Sequence, residues 1–210
     1  MTPSSKRPFV YFDLGNVLLN FSHERMAAQM AAVAGIEPRR AWDILFARDL
    51  GIRHETGKIT NQEFYDEFCR AAGKTGVDRE ALNLAACDIF WLNVPLVAIV
   101  GRLHAAGYRL GILSNTNDAH WRYVTGRFAF LGQLFHIYAM SFETGVMKPE
   151  PRIYAEAARL AGVEPGDVFY TDDRAENVDG ARAAGFDAEP FTSSADLSRQ
   201  LWQRGIVGNY

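Results

Sequence analysis

Short apolar runs that stop abruptly at polar residues recur along this chain: Phe9–Asp13, "YRLGILS", "HIYAMSF" and "DVFYTDD". Continuous apolar character over four to eight residues, instead of strict alternation, is the signature of a strand buried on both faces, as in a parallel sheet. Helical patterns separate the later runs, in "NDAHWRYVTGRFAFL", "PEPRIYAEAARLAGV" and "AENVDGARAAGF", and the last two close on Ala-Gly signals suited to a helix C-terminus. Strands alternating with helices predict a right-handed parallel sheet with helices on both faces. From about Ser22 to Trp91 the pattern changes to helical periodicity with no convincing strand. In "TNQEFYDEFCRAAG", Thr60 and Glu63 have the spacing of a capping box, and Phe64 and Phe68 share one helical face. The stretch "VPLVAIVGRLHAAGYRL" then returns the chain to the sheet. The expected architecture is α/β: a Rossmann-like, three-layer parallel-sheet core from residues 1–18 and 93–210, with an inserted helical cap over 19–92.

In a parallel sheet, ligands bind beyond the C-terminal strand ends. Four polar signals fall there in order: Asp13, then "SNT" at Ser114–Thr116, then Lys148, then Asp172 and Asp173. Each alone has an ordinary reading, as a cap, an Asx turn, a loop before a proline-started helix, or a solvated acidic pair. Together they suit phosphoryl transfer. A carboxylate attacking phosphorus needs positive charge and hydrogen-bond donors at the transferring oxygens, because nucleophile and substrate are both anions. Lys148 supplies the charge, Ser114 and nearby amides the donors, and Asp13 with Asp173 the hard oxygen ligands that Mg²⁺ prefers.

Composition narrows the partners. The chain has 210 residues, 48% hydrophobic and 22% charged, which is the balance of a globular protein with a substantial core. A formal charge of -3, with basic residues scattered, gives no broad attraction for nucleic acid or an anionic membrane. The N-terminal stretch fails as a secretion signal, and the longest apolar runs fall below the roughly 18 residues that cross a bilayer. A cytoplasmic setting is expected, with no nucleic-acid or membrane partner. Cys69 and Cys87 form no CxxC pair or metal-ligand cluster and read as buried free thiols.

The four motifs resemble those of the haloacid dehalogenase (HAD) superfamily, in particular its phosphatases with a helical cap after the first strand. "VYFDLGNVLL" is similar to the first motif, "GILSNTN" to the second, "GVMKPEPRIY" to the third and "VFYTDDRAENVDGARAAGF" to the fourth. Closer in detail, they resemble bacterial alpha-glucose-1-phosphate phosphatases and, more distantly, the N-terminal phosphatase domain of soluble epoxide hydrolases. The resemblance implies a Mg²⁺-dependent hydrolase of a small phosphorylated metabolite such as a sugar phosphate, working as a monomer or homodimer. Asp13 is then nucleophile and metal ligand and Asp173 a direct metal ligand supported by Asp172. Ser114 and Asn115 bind phosphate, and Lys148 neutralises it.

Gly15 departs from that pattern. The family usually carries a second aspartate there, which protonates the leaving oxygen and later activates water, while its carbonyl ligates the metal. A glycine keeps the carbonyl and loses the proton shuttle, which commonly contributes about 10²–10⁴-fold. His23, His54 and His120 are the candidates to replace it, His120 foremost. In the cap, "RDLGIRHETGKIT" is the expected specificity loop, where Arg53, His54 and Glu55 either bind sugar hydroxyls or form an exposed helix terminus. Two other readings stay open: a 2-haloacid dehalogenase-type hydrolase, and a non-catalytic regulatory protein.

Overall fold

The computed structural model describes residues 7–47 and 49–206; the first and last few residues of the expected core and Arg48 of the expected specificity loop lie outside that range. Seven strands are present among the described residues: β1 (Phe9–Phe12), β2 (Leu19–Phe21), β3 (Phe90–Leu92), β4 (Leu110–Ser114), β5 (Ile137–Met140), β6 (Val168–Asp172) and β7 (Asp187–Pro190). Five of them form one parallel sheet in the order β5-β4-β1-β6-β7. All four β1 residues are buried, as its unbroken apolar run requires.

The period of two along β1 divides the core. Val10 and Phe12 face one way, joining Leu110, Ile112 and Phe169 beneath the helices Val94–Ala105 and Ser194–Gln203. Phe9 and Tyr11 face the other, joining Leu113 and Tyr170 beneath Pro151–Ala161 and Ala175–Ala183. Helices on both faces of a parallel sheet make the expected α/β architecture.

The inserted segment carries five helices: His23–Ala34, Pro38–Phe46, Leu50–Glu55, Asn61–Ala72 and Arg79–Cys87. The Thr60–Glu63 capping box is formed at the start of the fourth. Phe64 and Phe68 from that helix pack with Met30, Leu45 and Leu82 in an apolar cluster of the cap's own. Truncating so buried an aromatic as Phe68 costs about 3–5 kcal/mol.

Three strands escaped the sequence reading, Leu19–Phe21, Phe90–Leu92 and Asp187–Pro190. Phe90–Leu92, inside the stretch expected to be purely helical, pairs antiparallel with Leu19–Phe21, Leu19 opposite Leu92 and Phe21 opposite Phe90. This ribbon is where the chain leaves the core and returns. The sheet's outer strand β7 reads "DAEP", without a β-branched or aromatic residue; it is a strand because it pairs with β6 at the sheet's margin. Both cysteines are free thiols, Cys87 buried and Cys69 half-buried. No helix is long and apolar enough to cross a membrane.

Candidate active site

Because β1 lies between β4 and β6, the residues that follow or end these strands meet at one edge of the sheet. The Asp13 amide extends the ladder, donating to the Thr171 carbonyl at 3.0 Å. Lys148 reaches into this edge from the loop before Pro151–Ala161. Its ammonium lies 2.8 Å from Asp13 Oδ1, 2.6 Å from Asp172 Oδ2, 2.9 Å from the Tyr170 hydroxyl and 3.0 Å from the Leu113 carbonyl. The Lys148 side chain is 1% exposed, so a cation is held here wholly inside the protein. Burial alone lowers a lysine's pKa, but Asp13 and Asp172 beside it outweigh that and raise it.

The three acids are differently employed. Asp172 is fully buried, and both its oxygens are taken, by Lys148, Tyr170, the Asn177 side chain and the Arg174 amide. Burial opposes its charge, yet these donors, Lys148 foremost, pull its pKa below the usual carboxylate value. Asp13 Oδ1 accepts from Lys148 and, at 2.7 Å, from the Leu14 amide; among the described residues no hydrogen bond ends on Oδ2. Burial raises the Asp13 carboxyl, with Lys148 pulling against it, so the fold disfavours the charge on Asp13. Asp173 is tethered by Asn16, and burial raises it too. Single oxygens of Asp13, Asp172 and Asp173 lie within 4.8 Å of one another. That is an all-oxygen donor set of the kind a hard divalent cation takes.

These groups open onto a cavity of about 140 Å³, lined from the core by Asp13, Ser114, Lys148, Asp173 and Arg174 and from the cap by Glu55 and His23. Pockets for drug-sized ligands usually measure roughly 300–1,000 Å³, so this one suits a small molecule. Asn115, expected at a phosphate, lines the cavity, and its side chain clamps the Lys148 backbone: Nδ2 donates to the Lys148 carbonyl at 3.0 Å and Oδ1 accepts from its amide at 2.8 Å.

The cap trio is not brought together. Of the three, only Glu55 lines this cavity. His54 stacks on Phe64 and bonds Asn61 Oδ1 through Nε2 at 2.5 Å, while Arg53 turns along the cap to Asp49 and Glu67. His120 is committed as well. Asn117 Oδ1 accepts from the His120 amide, so its Nδ2 faces the ring and donates to Nδ1 at 3.1 Å; Nε2 then carries the proton and donates to the Ala86 carbonyl at 3.1 Å. With burial pushing its pKa down to about 3, the ring is neutral and its single N–H is committed to the Ala86 carbonyl.

Gly15 lines the cavity, and it has no positive φ; the left-handed residue is its neighbour Asn16, at φ 54°. What a side chain at Gly15 would meet is the ring of Phe21, 2.7 Å from an ideal Cβ. The sequence reading passed over Asn16, Tyr170, Arg174 and Asn177. Asn177 had a signal: it stands in the first turn of the helix following Asp173, where its side chain faces back to the strand end.

The sequence pattern of the haloacid dehalogenase-like hydrolases matches residues 9–185. Glyceraldehyde 3-phosphate phosphatase of Methanopyrus kandleri is 36% identical over 194 residues, covering 84% of this chain and 80% of the relative. Bifunctional epoxide hydrolase 2 of Rattus norvegicus is 27% identical over 158 residues, 69% of this chain; there the chain spans only 28% of the relative's length. Among solved structures, a HAD family enzyme from Bacteroides thetaiotaomicron in complex with magnesium and inorganic phosphate superposes with a TM-score of 0.82 at 25% identity, covering 93% of this chain and 99% of that one. Four ordered strand-end motifs, a parallel sheet that gathers them and a pattern match across most of the length place the chain in the haloacid dehalogenase-like family of hydrolases.

Proposed function

We propose that the protein is a Mg²⁺-dependent phosphatase acting on a small phosphorylated metabolite of the sugar-phosphate class, through an aspartyl-phosphate on Asp13. The observation that carries this reading is the buried ammonium of Lys148 set between Asp13 and Asp172, with Asp173 at its flank. Two relatives support it by name, a glyceraldehyde 3-phosphate phosphatase and a phosphoglycolate phosphatase.

Asp13 attacks phosphorus, and Lys148 offsets the repulsion between carboxylate and phosphoryl oxygens. Ser114 stands at the cavity wall to donate to the phosphoryl group, with Asn115 serving through its hold on the Lys148 backbone. Asp172 positions Lys148. Asp13, Asp173 and the Gly15 carbonyl would hold Mg²⁺, since the oxygens of Asp172 are already spent. Bound there, the cation supplies charge neutralisation at the phosphoryl oxygens.

Phosphate release over a panel of small phosphorylated metabolites, with Mg²⁺ and with chelator, tests this reading. Turnover is expected from the wild type with Mg²⁺ and not from Asp13→Asn. Metal-independent halide release from 2-haloacids, or undiminished activity of Asp13→Asn, overturns it.

A further inference from the structure

An alkyl phosphate gives up its oxygen slowly unless that oxygen is protonated as the P–O bond breaks. On the core side of the cavity the charged groups are committed: Asp173 accepts from Asn16 and is a proposed metal ligand, and Arg174 pairs with Glu176. The Lys148 ammonium is spent on two carboxylates, a hydroxyl and a carbonyl, and the ring of Phe21 fills the space beside Gly15. In-line displacement fixes where the proton must come from, because the leaving oxygen departs on the side of phosphorus opposite the attacking carboxylate. Asp13 forms the cavity's floor, so the acid belongs in the roof.

Two titratable side chains line that roof, His23 and Glu55. The His23 ring is packed between Phe21 and Phe46, with centroids 4.9 and 4.6 Å away, and burial lowers its pKa, which leaves it neutral. Glu55 differs. Among the described residues no hydrogen bond or ion pair ends on its carboxylate, and it lines the catalytic cavity together with two smaller cavities that adjoin it. Its backbone is held against the core by two adjacent residues, Ser141 and Phe142. The Ser141 hydroxyl, at the end of β5, lies 2.6 Å from the Glu55 carbonyl while accepting from the Thr116 amide at 2.9 Å. Two residues on, Gly57 at φ +64° passes so close to the Phe142 carbonyl that a Cβ would stand 2.3 Å from its oxygen. The protein therefore spends specific contacts on holding an unpartnered carboxyl over the site.

We infer that Glu55 is the general acid and base of the reaction, an assignment that rests on the phosphatase reading and adds a catalytic residue to it. As Asp13 bonds to phosphorus and the bond to the leaving oxygen breaks, the Glu55 carboxyl gives that oxygen its proton, releasing an alcohol and leaving a carboxylate. Water then enters from the vacated side. Glu55 takes its proton as the new P–O bond forms and the bond to Asp13 breaks, which yields phosphate, restores Asp13 and reprotonates Glu55. Burial pushes the Glu55 carboxyl up to about 7, against the pull of Arg174 and Lys148, so both its acid and its base form are populated near neutral pH.

The test compares wild type, Glu55→Gln and Glu55→Asp on aryl and alkyl phosphates spanning a wide range of leaving-group pKa, all folded and Mg²⁺-loaded, with rapid-quench detection of phosphoenzyme. Glu55→Gln should lose about 10²–10⁴-fold on alkyl phosphates. With 4-nitrophenyl phosphate it should still release one equivalent of nitrophenol in a burst, then stall as phosphoenzyme. Glu55→Asp, which keeps the acid one methylene further back, should fall between and serves alone if the glutamine variant does not fold. A wild-type leaving-group slope in these variants without phosphoenzyme accumulation overturns the role of Glu55 and leaves the phosphatase standing. A wild type that hydrolyses none of these phosphates overturns both.

Discussion

Asn16 donates from Nδ2 to Asp173 Oδ2 at 3.0 Å while its own backbone sits in the left-handed region at φ 54°. Asparagine adopts that conformation more readily than other residues with a side chain, so a single position supplies both the turn out of β1 and the orientation of a proposed metal ligand. Partners of metal ligands commonly set affinity by about 10–100-fold. Asn16→Gly keeps the backbone and removes the donor; Asn16→Ala removes both. Both variants should need about 10–100-fold more Mg²⁺ for half-maximal activity. Only the alanine variant should also melt lower, because alanine lacks the local side-chain hydrogen bonding that lets asparagine tolerate the left-handed region. An unchanged Mg²⁺ titration in Asn16→Gly would remove the side chain from the metal site.

Restoring an acid at Gly15 runs into Phe21, not into backbone conformation. A Cβ 2.7 Å from the Phe21 ring is overpacked, and overpacking costs about 1–3 kcal/mol. Phe21 has little room to yield, with His23 and Phe90 at centroid distances of 4.9 and 5.9 Å. Gly15→Asp should therefore melt several degrees below wild type, and adding Phe21→Ala should recover part of the loss despite removing an aromatic ring. Equal losses that simply add in the double variant would mean that the two positions do not compete for space.

Asp13 and Lys148 should respond to substitution in opposite ways. Asp13→Asn leaves Lys148 with Asp172 at 2.6 Å and removes a charge that burial disfavours, so turnover should vanish with a melting temperature at or above wild type. Lys148→Met strands Asp13 and Asp172 as buried carboxylates without a counter-charge, and breaking buried pairs in this way costs about 3–5 kcal/mol. Denaturant unfolding of the two variants at neutral pH checks this contrast.

The floor of the site was legible in the sequence because strand ends in a parallel sheet converge by topology: Asp13, Ser114, Lys148 and Asp173 needed only their order along the chain. The roof was not. Whether Arg53, His54 or Glu55 faces the cavity depends on the phase of one six-residue helix, and "RHE" reads the same in every rotation. Rotation gives Arg53 to Glu67, His54 to Phe64 and Asn61, and Glu55 to the cavity. β7 was missed for a related reason, since "DAEP" becomes a strand through its neighbour and not through its own composition.

His120 turns the geometry of its ring into a dependence of stability on pH. Its Nδ1 faces an amide donor, so protonation in the folded state would set N–H against N–H; the ring stays neutral until about pH 3, against an ordinary value of 6.5 in the unfolded chain. Between these values the unfolded state binds the extra proton, so the contribution of His120 is complete above pH 6.5 and is lost as pH falls, by about 1.4 kcal/mol per unit. Glu55 works in the other direction: held near 7 in the fold against 4.5 unfolded, it keeps a proton that the unfolded chain has released, and stability gains as pH falls from 7 toward 4.5. The two partly cancel in the wild type, so difference measurements separate them. His120→Gln removes the histidine's titration, and its unfolding free energy relative to wild type should improve steadily from pH 6.5 to 4.5, whatever the lost hydrogen bonds cost at pH 8. Glu55→Gln should lose ground over the same interval. Parallel curves for His120→Gln and wild type across this range would show that the ring accepts a proton in place and that its hydrogen-bond assignment is wrong.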